Sequence, residues 1–178
     1  MHQHTLFAAL ALIVFTGVSL SGSAQELPRR KSGLWEITME NSAAPKGRPA
    51  RVMTQCVDAA KDDIARQMGQ QMEKDNKCSK SRITQLPGRI SFESACDFGE
   101  SKMTAQTMIT GDFNSSYKME IKSKYSPPMM GMSESTTVMD AKFVGACKPG
   151  MRAGDVSMPG MPAGMTMNIY DMMDGTKK

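Results

Sequence analysis

Phe113-Asn114-Ser115-Ser116-Tyr117-Lys118-Met119-Glu120-Ile121-Lys122-Ser123-Lys124-Tyr125 alternates between two chemistries with a period of two. Phe113, Tyr117, Met119, Ile121 and Tyr125 share one side, while Asn114, Ser116, Lys118, Glu120, Lys122 and Lys124 share the other. That is the pattern of a strand with one buried and one wet face. Upstream, Gly111-Asp112 suits a tight hairpin from a strand over 103–110, and Thr137, Met139, Ala141 and Phe143 mark a further strand downstream.

Further out, 34–39 sets Trp35, Ile37 and Met39 against polar neighbours, again at strand period. Pro45, Gly47 and Pro49 break the chain into a loop over 43–51, after which 52–56 suits a short strand. The period then changes. From Asp58, an N-cap with Asp62 and Asp63 in the first turns, Ile64, Met68 and Met72 recur every four residues, which predicts one amphipathic helix ending near Asn76. The period of two returns after the turn at Pro87-Gly88, with Ile90, Phe92 and Cys96 on one face. The expected fold is mainly β within the α+β class: a curved antiparallel meander sheet packed on one amphipathic α-helix and stabilised by disulfides.

The amino-terminal segment has a different character. An apolar run from Leu6 to Phe15 ends in Ser21-Gly22-Ser23-Ala24, which reads as a cleaved export signal over 1–24. Its apolar core is shorter than the ~20 residues needed to cross a bilayer, and no later stretch is apolar enough, so no stable membrane anchor is expected. A lipid-attachment cysteine is missing too, because Ser23 stands where it would be. The expected localisation is periplasmic or secreted, as a soluble chain. Organisation then follows as a polar leader over 25–32, a single β-rich domain over 33–147 and a Met/Pro/Gly-rich tail over 148–178. Prolines and glycines argue against regular structure in that tail, apart from a short element near 167–173.

Both histidines, His2 and His4, precede the cleavage point near Ala24, so the commonest general base and metal ligand is lost on export. Paired carboxylates remain at Asp62-Asp63, Asp97 with Glu100, and Asp171 with Asp174, but helix dipole, turn and tail account for them. Serines lack a Gly-x-Ser-x-Gly elbow. The expectation is therefore a protein that is not an enzyme. The net charge of +4 is spread out, with Arg29-Arg30-Lys31 the one run. That run reads as solvated leader, and nucleic-acid binding is not expected.

Four cysteines in an exported chain favour disulfides, and no Cys-x-x-Cys is present to suggest zinc or redox chemistry. Cys78 and Cys96 are equidistant from Pro87, so an odd-length hairpin loop sets them opposite each other. This pairs Cys78 with Cys96 and, by elimination, Cys56 with Cys147. The same register opposes Arg82 to Phe92 and leaves Ile83 on the other face, which calls for a bulge.

Gly33-Leu34-Trp35-Glu36 soon after an export signal, Cys56-Val57 before a helix, Cys78 and Cys96 around a hairpin, Met-rich strands and a closing Gly145-Ala146-Cys147 together resemble the bacterial domain-of-unknown-function 3617 family. The resemblance spans nearly all of the chain beyond the signal. It implies a small exported protein of Gram-negative bacteria and carries over no catalytic or binding residue.

Methionine is in excess, at 19 of 178 residues. Thioethers are soft, neutral ligands suited to Cu(I), and Met129, Met132, Met158, Met161, Met165 and Met167 are spaced so that neighbouring sulfurs can converge on one ion. Methionine is also a flexible core filler, which accounts for Met39, Met103, Met119 and Met139 in the strand patterns. A sheet on a helix can equally leave an apolar pocket that adaptable Met side chains line. The expected function is a periplasmic binding or envelope-associated module, with an envelope protein or a small apolar ligand as partner. Cu(I) binding through the Met-rich loop and tail, and carriage of an apolar ligand, are its two alternatives.

Overall fold

The computed structural model describes residues 28–45, 47–62, 78–79, 82–162 and 165–173. Nine strands lie in one open antiparallel sheet: β1 Gly33–Asn41, β2 Arg51–Val57, β3 Arg82–Leu86, β4 Arg89–Asp97, β5 Lys102–Gly111, β6 Ser116–Met129, β7 Met132–Gly145, β8 Asp155–Ser157 and β9 Met167–Asn168. Among the described residues one short helix, α1 Ile169–Met173, follows. The order across the sheet is β3-β4-β5-β6-β7-β1-β2-β8-β9. The meander is therefore permuted: β3 to β7 run in sequence, and β7 then pairs back onto β1, so the first hairpin closes the far side. β2 and β3, consecutive in the chain, are separated in the sheet by β4, β5, β6, β7 and β1.

One face carries the core. Ile90, Ile109, Tyr117, Ala141, Ile37, Trp35 and Val57 form its buried cluster, with Met53, Phe92, Phe113, Met119, Met139 and Phe143 packed against it. These positions share a face because directly paired residues do so: Ile90 faces Ile109, Tyr117 faces Ala141, Ala141 faces Ile37 and Ile37 faces Met53. Trp35 is fully buried, 5.7 Å from the Tyr117 ring and 5.8 Å from Phe143, and its indole N–H donates to the Lys31 carbonyl at 2.8 Å. That bond satisfies the one polar atom a buried Trp brings with it. Gly33, at φ 138°, tolerates no side chain, since a Cβ there would meet the Gly145 carbonyl and the Phe143 ring.

Several expectations change in the structure. The strand read from 113 begins at Ser116, because Phe113 sits in a turn at φ 59°, although its ring still stacks on Tyr117 at 5.2 Å. Asp112 organises that turn by accepting the backbone N–H groups of Ser115, Asn114 and Ser116 and the Ser115 hydroxyl. Those bonds, led by the Ser115 backbone, hold its carboxyl well below the usual range. The hairpin at Pro87-Gly88 has a two-residue loop, so Ile83 faces Phe92 rather than the other side. Cys78 nevertheless faces Cys96. The two registers differ by one residue, and the extra one lies between Cys78 and Arg82, as the bulge requires.

The amphipathic helix read over 58–76 lies outside the described residues beyond its start; among the described residues the helical ones are Ile169–Met173. Its described opening is a turn, in which Lys61 donates to the Asp58 carbonyl and Ala60 to the Asp58 carboxylate. Asp62, read as a helix-dipole residue, instead forms a two-pronged pair with Arg30 at 2.7 Å, and Arg30 also donates to Gln55 at 2.9 Å. Arg30 is thus no solvated leader residue. Burial, the largest single influence, lowers its pKa, but the Asp62 bond and charge together with the bond and charge of Tyr117 outweigh it, so the net shift is upward. The tail likewise is not without regular structure: β8 pairs with β2 and β9 with β8.

Candidate functional site

Toward one end of the sheet small and polar side chains interrupt the core face, around Ile121 on β6. Above Ile109 and Tyr117 come Thr107 and Ala105 on β5, Ser123 on β6 and Ser135 and Thr137 on β7, all at core-face positions. The loop segments 42–45 and 47–50 stand at this end, anchored where the Ser42 N–H donates to the Thr136 carbonyl and the Thr136 N–H to the Ser42 hydroxyl. Between loop and sheet is an open cleft of about 670 Å³. Met39, Met132 and Tyr125 supply its apolar wall, and Asn41, Ser135 and Thr137 its polar one. Its volume falls in the range of small-molecule sites, roughly 300–1,000 Å³.

The polar wall has a defined orientation. Asn41 Oδ1 accepts the backbone N–H of Ala43 at 2.8 Å, which leaves its amide nitrogen to donate to Thr137 Oγ1 at 2.8 Å. A backbone N–H can only donate, so the amide cannot be turned the other way. Thr137, which borders the cleft, consequently accepts from Asn41 and keeps its own hydroxyl proton available to donate. Ser135 lies 3.5 Å from the Tyr125 hydroxyl. Arg51 pairs directly with Met39 and is two residues from the core residue Met53, so it is on the core face at the rim; Arg48 borders the cleft from the loop.

A larger groove, about 910 Å³, crosses β4 to β7 between Glu93, Gln106, Lys122, Lys124, Glu134 and small residues. No large apolar side chain lines it. Chemistry rather than size separates the two, since ligand sites are lined mainly by apolar groups with a few polar ones.

The sequence-derived metal candidates fall into two separate places. Met129 and Met132 face each other across the hairpin at Met130-Gly131, both of whose central residues have positive φ. Met158 and Met161 close a turn in which the Met158 N–H approaches the Met161 sulfur at 3.4 Å, whereas Met165 is exposed just before β9 and Met167 is exposed within it. Ser157 pairs with Thr54, Thr54 with Glu36 and Glu36 with Lys142, which puts the tail sulfurs about ten residues along β7 from Met132. At about 3.3 Å per residue this is roughly 30 Å, too far to share one ion. The structure also brings Cys56 to Cys147 and Cys78 to Cys96, at disulfide distance. Asp97 caps its turn through the Gly99 N–H, as read, while Asp174 lies outside the described residues.

Sequence reasoning missed the cleft itself. Met39, Tyr125 and Thr137 were all placed on apolar strand faces, and the 43–51 segment was recognised as a loop. Pairing of β7 with β1, residues about a hundred positions apart, is what assembles them.

A family model described as "Protein of unknown function (DUF3617)" matches residues 30–147. No curated protein and no solved structure matches. The match begins at the half-buried Arg30 and ends at Cys147, so it takes in β1 to β7, both cysteine pairs and the whole cleft, and stops before β8 and β9. The chain belongs to the DUF3617 family.

Proposed function

We propose that this protein is an exported, non-enzymatic binding module whose ligand, a small molecule with an apolar part, occupies the cleft beneath the 42–50 loop. The observation that carries this reading is the composition of the cleft: an adaptable Met39, Met132 and Tyr125 wall faced by a few oriented polar groups. Export is supported by the apolar leader and by four cysteines at disulfide distance in pairs. The non-catalytic reading is supported by the position of both histidines ahead of Ala24.

Titration with a neutral fluorescent naphthylamine tests the cleft. Saturable binding to the wild-type protein is expected, with loss in Ser135→Phe, whose ring would fill the floor while far-UV circular dichroism stays unchanged. Absence of saturable binding, or undiminished binding to that variant, overturns the reading. Export is checked by intact mass of protein from the cell envelope, expected to begin at Gln25.

Cu(I) binding stands as a second reading because Met129 directly faces Met132. It places uptake at that hairpin rather than in the tail. Replacement of both by Leu abolishes uptake if this is right and leaves it intact if the tail binds.

A further inference from the structure

We propose that the ligand of this cleft is an anionic amphiphile, with its head group at Arg51, Arg48 and the Thr137 hydroxyl and its alkyl chain along Met39, Met132 and Tyr125. This rests on reading the cleft as the ligand site and adds the chemical class of what enters it. Three observations point the same way. First, the oriented polar groups at this end offer donors: Asn41 accepts from Ala43 through its carbonyl and gives one amide proton to Thr137, which leaves its second amide proton and the Thr137 hydroxyl proton unspent among the described residues. Secondly, Arg48 and Arg51 are exposed at the rim and form no ion pair among the described residues. Thirdly, Glu40 is the sole carboxylate residue among the described ones that border the cleft, and it alternates away from Met39 and Asn41 along β1, paired with Val138 on the opposite face.

An anion at this rim therefore meets two guanidinium groups and a hydroxyl donor without a facing carboxylate. Bonds of this type, with both partners charged, are about twice as strong as neutral ones. The apolar wall lies directly inside the rim, since Arg51 pairs with Met39. A polar anion without a chain leaves that wall wet, and a neutral chain leaves the cations unpaired; one molecule with both parts satisfies both. The shared chemistry is a single-chain amphiphile with one negative head, which a free carboxylic acid or a phosphate monoester could supply.

The test uses the full exported chain and four probes of equal chain length below their micellar concentrations: dodecanoate, dodecyl phosphate, dodecanol and dodecyltrimethylammonium. Each displaces the neutral naphthylamine. We expect the better of the two anions to bind at least about tenfold tighter than dodecanol and the cation more weakly than dodecanol, with the ranking of carboxylate against phosphate identifying the head group. Arg51→Gln should weaken the preferred anion about fivefold or more, should leave dodecanol unchanged, and should flatten the salt dependence of anion binding. Arg48→Gln/Arg51→Gln should abolish the preference, with an unchanged thermal midpoint reporting an intact fold. Equal affinity for anions, dodecanol and cation, or equal losses for all probes in Arg51→Gln, overturns the inference while leaving the cleft a ligand site. Failure of all four probes and of the naphthylamine removes the site and the inference together.

Discussion

Asp155 shows how single side chains hold this molecule. Its carboxylate is almost fully buried, accepts the Arg152 N–H at 2.7 Å and the Asn168 amide at 2.8 Å, and lies 3.7 Å from the exposed Arg152 guanidinium. Burial by itself would raise its pKa, but the Arg152 backbone and Asn168 bonds, the Arg152 charge and a Thr166 side-chain bond together outweigh that and lower it. A carboxyl that gives up its proton more readily in the folded chain than in the unfolded one stabilises the fold above the unfolded value, about 3.9, and loses that contribution as pH falls through the folded value. Asp155→Asn is thus expected to cost about 1–3 kcal/mol at pH 7 by urea unfolding, with the difference shrinking at pH 3. A constant difference at both pH values would show that charge is not what the site uses.

At the scale of elements, the tail is the instructive case. Pro149, Pro159 and Pro162 with Gly150, Gly154, Gly160 and Gly164 limit regular structure to very short pieces. Three residues suffice for β8, because β2 offers an open edge and the Gly154 N–H reaches the Cys56 carbonyl at 2.8 Å. Gly154 itself lies at φ 87°, and a Cβ there would strike the Tyr170 ring, so glycine is required. Tyr170 in turn donates to the Lys61 carbonyl at 3.0 Å, which ties α1 back to the chain after β2. Ending the chain after Lys148 should leave β1 to β7 folded but uncover β2. Amide exchange at Thr54 to Cys56 is expected to accelerate at least tenfold, with β5 and β6 amides unchanged; unaltered protection of β2 would mean that β8 contributes no pairing.

For the whole molecule, the permuted order makes one connection matter more than the rest. Cys56 to Cys147 joins β2 to the end of β7 across β1 over a separation of 91 residues, whereas Cys78 to Cys96 spans 18. In the chain-entropy model these contribute about 4–5 and about 3 kcal/mol, so Cys56→Ala/Cys147→Ala should destabilise more than Cys78→Ala/Cys96→Ala in denaturant unfolding. Non-reducing peptide mapping should return these two linkages. A Cys56 to Cys78 product would contradict the sheet order.

The strand identities and the buried face were legible in the sequence because side chains in a half-buried strand must alternate. Trp35 with Ile37, Ile90 with Phe92, and Tyr117 with Met119 and Ile121 could have occupied no other periodicity. Turn chemistry was legible for the same local reason at Pro87-Gly88 and at Asp97-Phe98-Gly99. Local pattern carries no information about which strands meet at long range, so the pairing of β7 with β1, the half-buried Arg30 and Asp62 pair and the docking of β8 onto β2 were decided only when those distant segments met. The cleft belongs to that second group: its apolar residues were visible as strand positions, but Arg51, Asn41 and Thr137 acquire a common task only once β1, β2 and β7 lie side by side.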